Sequence, residues 1–149
     1  MKQGDQIADF ELPDQNGKNR QLSELLLDGP VVLFFYPAAM TGGCTKESCH
    51  FRDLAAEFAA LGAQRVGIST DSIATQKQFA ELNGFDYPLL SDADGAVAKQ
   101  FGVKRRFGPL PVKRHTFVIG TDSRLIAEIS SELNMDLHAD EALKVLARP

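Results

Sequence analysis

Tryptophan is absent from the chain, tyrosine occurs twice, histidine three times and cysteine twice. The histidines, His50, His115 and His138, stand at no recognised metal-ligand spacing from Cys44 or Cys49, which argues against a zinc or other metal centre. A basic excess is also missing. Lys and Arg total 16 against 20 Asp and Glu, and the formal net charge of −4 gives no support to nucleic-acid binding. No apolar run approaches the length that spans a bilayer, and residues 1–10 lack the continuous apolar core of a signal peptide. No membrane partner and a cytoplasmic setting are therefore expected. In a reducing compartment, two cysteines are expected to be free, catalytic or redox-active rather than a permanent staple. No glycine-rich dinucleotide fingerprint follows a strand, so a nicotinamide site is not supported. Repeats, low-complexity tracts and interdomain linkers are lacking too. Residues 1–149 read as one domain, with 44% hydrophobic residues to build its core.

What the chain does hold is a strand, turn and helix signal around its cysteines. The run Val31-Val32-Leu33-Phe34-Phe35-Tyr36 is β-branched, aromatic and apolar on both faces, which suits a central, doubly covered strand. It meets Pro37, crosses Gly42-Gly43 and delivers Cys44 to the start of a helix that places Phe51, Leu54, Ala55, Phe58 and Leu61 on one side and closes at Gly62. A thiol there faces unpaired backbone N–H groups and the positive end of the helix dipole, which favour thiolate. Cys44 is the candidate nucleophile.

Elsewhere the chain alternates strands and helices. Residues 10–13 and 20–22 flank an Asn16-Gly17 turn and read as an N-terminal hairpin, and Ser23 is placed to cap a short helix through Leu27. A second buried strand is expected at residues 66–69, then a helix capped within Thr70-Asp71-Ser72 and stopped by Asn83-Gly84. Residues 87–90 read as a short strand that Pro88 pushes toward a sheet edge or a strand start, and residues 96–101 as a small helix capped by Asp92 or Asp94. A basic loop at 104–113 leads into a strand at 114–119, a turn at 121–124, a strand at 125–130 and a closing helix at 137–146. The fold class is α/β, a mixed sheet flanked by helices.

The pattern Pro37-x-x-x-Thr41-x-x-Cys44 resembles the peroxiredoxins, and Cys49 narrows the likeness to the bacterioferritin comigratory protein or peroxiredoxin Q group. The likeness runs from the N-terminal hairpin through Arg114-His115-Thr116-Phe117-Val118-Ile119 and implies a thioredoxin-like fold. It further implies a peroxidase acting on hydrogen peroxide and organic hydroperoxides without haem, flavin, metal or other cofactor. Cys44 would be oxidised to a sulfenic acid, Cys49 would resolve it as an intramolecular disulfide, and thioredoxin or a similar dithiol would recycle the enzyme. Thr41 and Arg114 match the two polar active-site positions, a hydroxyl and a permanently charged guanidinium able to hold sulfur and oxygen as charge moves. Pro37 matches the residue that walls off the pocket, and Glu47 a helix acid that orients the arginine. A monomer is expected, with a weak dimer the alternative. One departure stands out: relatives often carry Pro after the Thr, where this chain has Gly42.

Several residues keep a second reading. Cys49, near Phe51, also suits a core position; Thr41 also suits a helix cap; and Glu47 also suits the first helical turn for dipole reasons alone. Arg114 has an ordinary surface position as its second reading. His115 is expected to point away from Arg114 because neighbours on a strand face opposite ways. The loop 104–113 is expected either to be solvated or to raise the positive potential near Cys44. A disulfide reductase normally needs C-x-x-C, whereas a redox sensor would oxidise without turning over. On a regular helix, residues five apart have Cα atoms roughly 8–9 Å apart, beyond the ~7 Å that a disulfide tolerates, so the helix must partly unwind for Cys44 and Cys49 to join.

Overall fold

A computed structural model describes residues 1–148 except Arg106 and Pro109. Its centre is a five-stranded sheet built on β3 (Val31–Phe35), every residue of which is buried. Parallel neighbours lie on one side, β4 (Gln64–Ser69) and then β5 (Leu89–Ser91), and antiparallel ones on the other, β6 (His115–Ile119) and then β7 (Leu125–Ser130). Pro88 precedes β5, the edge strand, where a missing N–H costs the ladder nothing. The hairpin β1 (Glu11–Pro13) with β2 (Asn19–Gln21) stands apart as a second small sheet. The mixed sheet and N-terminal hairpin expected from the sequence are both present.

The sheet is buried on both faces because β3 sends alternate residues to two cores. Val31, Leu33 and Phe35 pack with Phe10, Leu22, Phe101 and Phe117, under α1 (Leu22–Leu25) and α5 (Ala96–Gln100). Val32, Phe34 and Tyr36 pack with Cys44, Phe51, Phe58, Phe79 and Ala139. These come from α2 (Gly42–Asp53), α3 (Ala55–Ala60), α4 (Ile73–Asn83) and α6 (Met135–Leu146). Phe51 lies flat on Phe34, ring centroids 4.1 Å apart and 7° from parallel, and so fastens α2 to the central strand.

The expected single helix after Cys44 is two. Leu54 leaves helical geometry at φ −96° and ψ 19°, and α3 restarts at Ala55, so that Phe51 and Phe58 still stack at 5.8 Å while Leu61 ends 37% exposed. At α1 the expected Ser23 cap is replaced by Asp9, whose carboxylate accepts from Ser23 N and Oγ, both at 2.9 Å. The helix begins two residues earlier, at Leu22 with Gln21 as its N-cap, and is followed by a 3₁₀ turn, Leu26–Asp28. Ser72 caps α4 by accepting from Thr75 N, and Gly84 ends it at φ 63°. Asp92 accepts from Val97 N and Ala98 N, and Asp94 from Ala96 N, so both candidate caps serve α5. The last helix starts at Met135, two residues before the expected position.

Candidate active site

Residues three apart on a helix share a face, so Cys44 and Glu47 look the same way from the first turns of α2. What they meet is set by strand parity. Thr116 pairs with Phe34 and His115 with Phe35, which places Arg114, two residues before Thr116, on the α2 face and His115 on the other. Arg114 Nη2 donates to Cys44 Sγ at 3.2 Å and Nη1 donates to Glu47 Oε1 at 2.9 Å. His115 instead meets Glu128 at 3.1 Å and Ser130 at 3.2 Å across β7, as its parity predicts.

Burial governs the electrostatics. Cys44 and Glu47 have no exposure and Arg114 has 5%. Burial pushes Glu47 up to about 8, against the lowering pull of the Arg114 charge and hydrogen bond. Burial draws Arg114 down, but the charges on Glu47 and Cys44 outweigh it and hold the guanidinium above its usual value. One fixed cation therefore serves two groups able to carry negative charge.

The sequence did not single out what lies behind Glu47. His138, fully buried on α6, has Nε2 at 2.8 Å from the Ser131 carbonyl and 3.5 Å from Glu47 Oε2, while its Nδ1 lies 2.8 Å from Thr116 Oγ1. The Ser131 carbonyl requires a proton on Nε2 and takes it, so Glu47 Oε2 is buried with no hydrogen-bond partner among the described residues. Burial lowers His138 further from its ordinary value and keeps it neutral. Gly43 faces Met135 of α6 and the Arg114 guanidinium. A Cβ there would stand 2.9 Å from Met135 Cε and 3.3 Å from Arg114 Nη2. The Gly42 position, by contrast, has open space around it.

Pro37 is buried at the end of β3, and the loop after it is pinned by Asp71, which accepts from Ala39 N at 2.7 Å and from Ser69 Oγ at 2.7 Å. Met40 then takes φ 68°, a left-handed conformation unusual for a side chain of its size. Thr41 is the N-cap of α2 by position only. Its hydroxyl donates back to the Ala38 carbonyl at 2.8 Å and makes no capping bond, which leaves its oxygen's lone pairs open beside an exposed surface.

Cys49 sits on the far side of the same helix, half-buried, with Sγ 3.7 Å from Asn83 Oδ1. Both cysteines are free. Among the described residues, the basic loop reaches the site through an acid: Arg105 Nη2 donates to Glu132 Oε1 at 3.0 Å, and the same oxygen accepts from Arg114 N at 3.1 Å. Arg106 and Pro109 of that loop lie outside the described residues. A cavity of about 890 Å³ lined by Lys99, Lys104, Arg105, Phe107 and Lys113 contains none of the groups around Cys44. Met40, Thr41 and Gly42, which lead the chain into the Cys44 turn, are exposed.

Residues 3–128 match the model of the AhpC/TSA family. A putative peroxiredoxin of Mycobacterium tuberculosis is 68% identical over 148 residues, covering 98% of this chain and 96% of the relative. A chloroplastic peroxiredoxin Q of Gentiana triflora is 38% identical over 147 residues, covering 98% of this chain and 67% of the relative. Among solved structures, the peroxidoxin BcpB of Mycobacterium tuberculosis superposes with a TM-score of 0.95 at 67% identity, covering 100% of this chain and 99% of that one. The bacterioferritin comigratory protein of Xanthomonas campestris gives 0.84 at 30% identity, covering 92% and 89%.

Proposed function

The chain belongs to the AhpC/TSA family of peroxiredoxins, thiol-dependent peroxidases with a thioredoxin-like fold, and we propose that Cys44 is its peroxidatic sulfur and Cys49 its resolving one. The observation that carries the reading is the single guanidinium that joins Cys44 Sγ and Glu47 Oε1 in a buried site. A fixed cation beside the sulfur stabilises negative charge there. Arg114 Nε is buried without a partner among the described residues, and in this reading the guanidinium's spare donor capacity meets the peroxide oxygen as it gains charge, which is how preorganised electrostatics lower a barrier.

In the first step Cys44 sulfur attacks one oxygen of a hydroperoxide. An S–O bond forms, the O–O bond breaks, and the thiol proton leaves with the other oxygen as water or alcohol, so that Cys44–SH and ROOH become Cys44–SOH and ROH. Thr41 presents its hydroxyl oxygen to the incoming peroxide at the exposed edge, and Pro37 walls off the opposite side. Glu47 orients Arg114. In the second step Cys49 sulfur attacks the sulfenic sulfur; an S–S bond forms, the S–O bond breaks and water leaves. Because a regular helix holds the two Cα atoms roughly 8–9 Å apart, this step requires α2 to unwind between them. A dithiol donor, thioredoxin or one like it, then reduces the disulfide. Hydrogen peroxide and organic hydroperoxides are the substrates.

Peroxide consumption by the wild type, Cys44→Ser and Cys49→Ser with thioredoxin as donor tests this. Turnover vanishes in Cys44→Ser. In Cys49→Ser, Cys44 is oxidised once and a sulfenic acid accumulates that a dimedone-type reagent traps. Stoichiometric oxidation of the wild type without turnover would contradict the reading and favour a redox sensor.

A further inference from the structure

Two side chains from outside α2 grip its backbone on either side of Cys49. The Tyr87 hydroxyl donates to the Ser48 carbonyl at 2.8 Å, and Arg65 Nη1 donates to the Phe51 carbonyl at 3.0 Å. Each is braced by its own neighbours. Arg65 bonds both oxygens of Asp86 at 2.9 Å and lies over the Tyr87 ring, 5.1 Å from its centroid; Phe85 stacks on that ring at 5.3 Å. Tyr87 is 5% exposed and the Arg65 side chain 10%, so water does not readily replace either bond. A carbonyl has two lone pairs; at Ser48 the N–H of Arg52, four residues on in α2, takes one of them, whereas at Phe51 the helix breaks before Ala55 and Arg65 takes the place of the helical donor. The Tyr87 bond is therefore additional to the helix and the Arg65 bond caps its C-terminal turn, so that unwinding the Cys49 turn works against both.

We propose that Tyr87 and Arg65 form a latch on the Cys49 turn of α2, holding the helix wound and setting how the Cys44 sulfenic acid is shared between two fates. One fate is the disulfide with Cys49, which needs the latch released. The other is attack on a second hydroperoxide, which needs only the wound helix: another S–O bond forms, the O–O bond breaks, ROH leaves, and sulfenic acid becomes sulfinic. The latch lies away from the reacting sulfur and acts through the helix that carries both cysteines, which makes Tyr87 and Arg65 positioning residues. The proposal rests on the resolving role of Cys49 given above.

Tyr87→Phe removes one bond and keeps the stacked ring; Arg65→Met removes the other. The measurement is the rate of disulfide formation relative to the rate of Cys44 oxidation, followed by stopped flow, with mass spectrometry of sulfinic Cys44 at raised peroxide. Losing the neutral Tyr87 bond is expected to raise that ratio about three- to tenfold and to lower the sulfinic fraction, and losing the charge-assisted Arg65 bond to do so by at least as much. Amide hydrogen exchange at residues 49–53 of the reduced protein is expected to quicken by a similar factor. A ratio that stays level or falls while the disulfide still forms would overturn the latch. If no disulfide forms even in the wild type, the resolving role of Cys49 fails, and amide exchange decides the latch alone: quickened exchange in Tyr87→Phe supports it and unchanged exchange overturns it.

Discussion

At the N-terminal end of α2, Cys44 has no exposure and meets a guanidinium at 3.2 Å; further along, Cys49 is half-buried and meets a neutral amide oxygen at 3.7 Å. The first turn is fixed by charge. It is sealed by α6, with Met135 against Gly43 and His138 behind Glu47. The second is fixed by hydrogen bonds of modest strength, from Tyr87 to Ser48 and from Arg65 to Phe51, with Asn83 near the sulfur and Arg52 Nη1 donating to the Asn83 carbonyl at 2.6 Å. A preorganised charge is costly to rearrange, which suits a group that must act on peroxide without delay. Hydrogen bonds worth roughly 1 kcal/mol each are easily exchanged, which suits a segment that must move. One helix thus holds a rigid end and a releasable one.

Removing the charge at the rigid end should have the largest effect. Arg114→Ala is expected to slow oxidation of Cys44 about 10²- to 10³-fold, the usual loss when one electrostatic stabiliser is deleted. Stopped-flow oxidation by hydrogen peroxide measures it, and a loss under tenfold would mean that Arg114 is only a structural partner of Glu47. Crowding that end should be milder but local. Gly43→Ala puts a Cβ 2.9 Å from Met135 Cε and 3.3 Å from Arg114 Nη2, whereas Gly42→Ala enters open space. A fall of about tenfold in the Cys44 oxidation rate is expected for the first and less than twofold for the second, because the Met135 end can yield but Arg114 must turn aside. Equal effects would dissolve the distinction between the two glycines.

The smallest effect is on stability. Glu47 titrates from an ordinary value of 4.5 when unfolded to about 8 when folded, so the folded state binds the proton more tightly. Its burial is therefore tolerated below about pH 4.5, and stability falls as pH rises toward 8, where the carboxylate is forced to ionise inside. Glu47→Gln removes this slope. The Tm of wild type minus that of Glu47→Gln should decline by about 3 °C or more between pH 5 and 8 and level off above. A difference that is flat, or that rises with pH, would contradict the assignment of the proton to Glu47.

The framework of the molecule was readable because its signals are local. The doubly apolar run at β3, the Asn16-Gly17 turn, the Ser72 cap and the Gly84 stop each act within a few residues. Cys44 was readable for the same reason, as a thiol in a helix's first turn. Arg114 was placed by resemblance alone, and the register of β6, with Thr116 opposite Phe34, is what shows it on the α2 face. Glu47 stayed ambiguous because an acid near a helix start has a dipole explanation of its own; only full burial beside Arg114 separates the two. His138, Tyr87 and Arg65 were not legible as site residues at all. Their partners lie on other elements, and no periodicity or spacing encodes which helix docks against which strand. The break at Leu54 was missed because the apolar spacing continues across it while the backbone does not.

The central claim is that α2 works in two forms, wound around Arg114 to meet peroxide and unwound to bring Cys49 to Cys44. Amide exchange across residues 41–53, compared between the reduced protein and the peroxide-oxidised disulfide form, tests it most directly. The account predicts that amides around Cys44 and Cys49 are protected in the reduced protein and exposed in the disulfide form, with the Phe51 contact to β3 as the boundary. A disulfide form with the same protection as the reduced protein would contradict it.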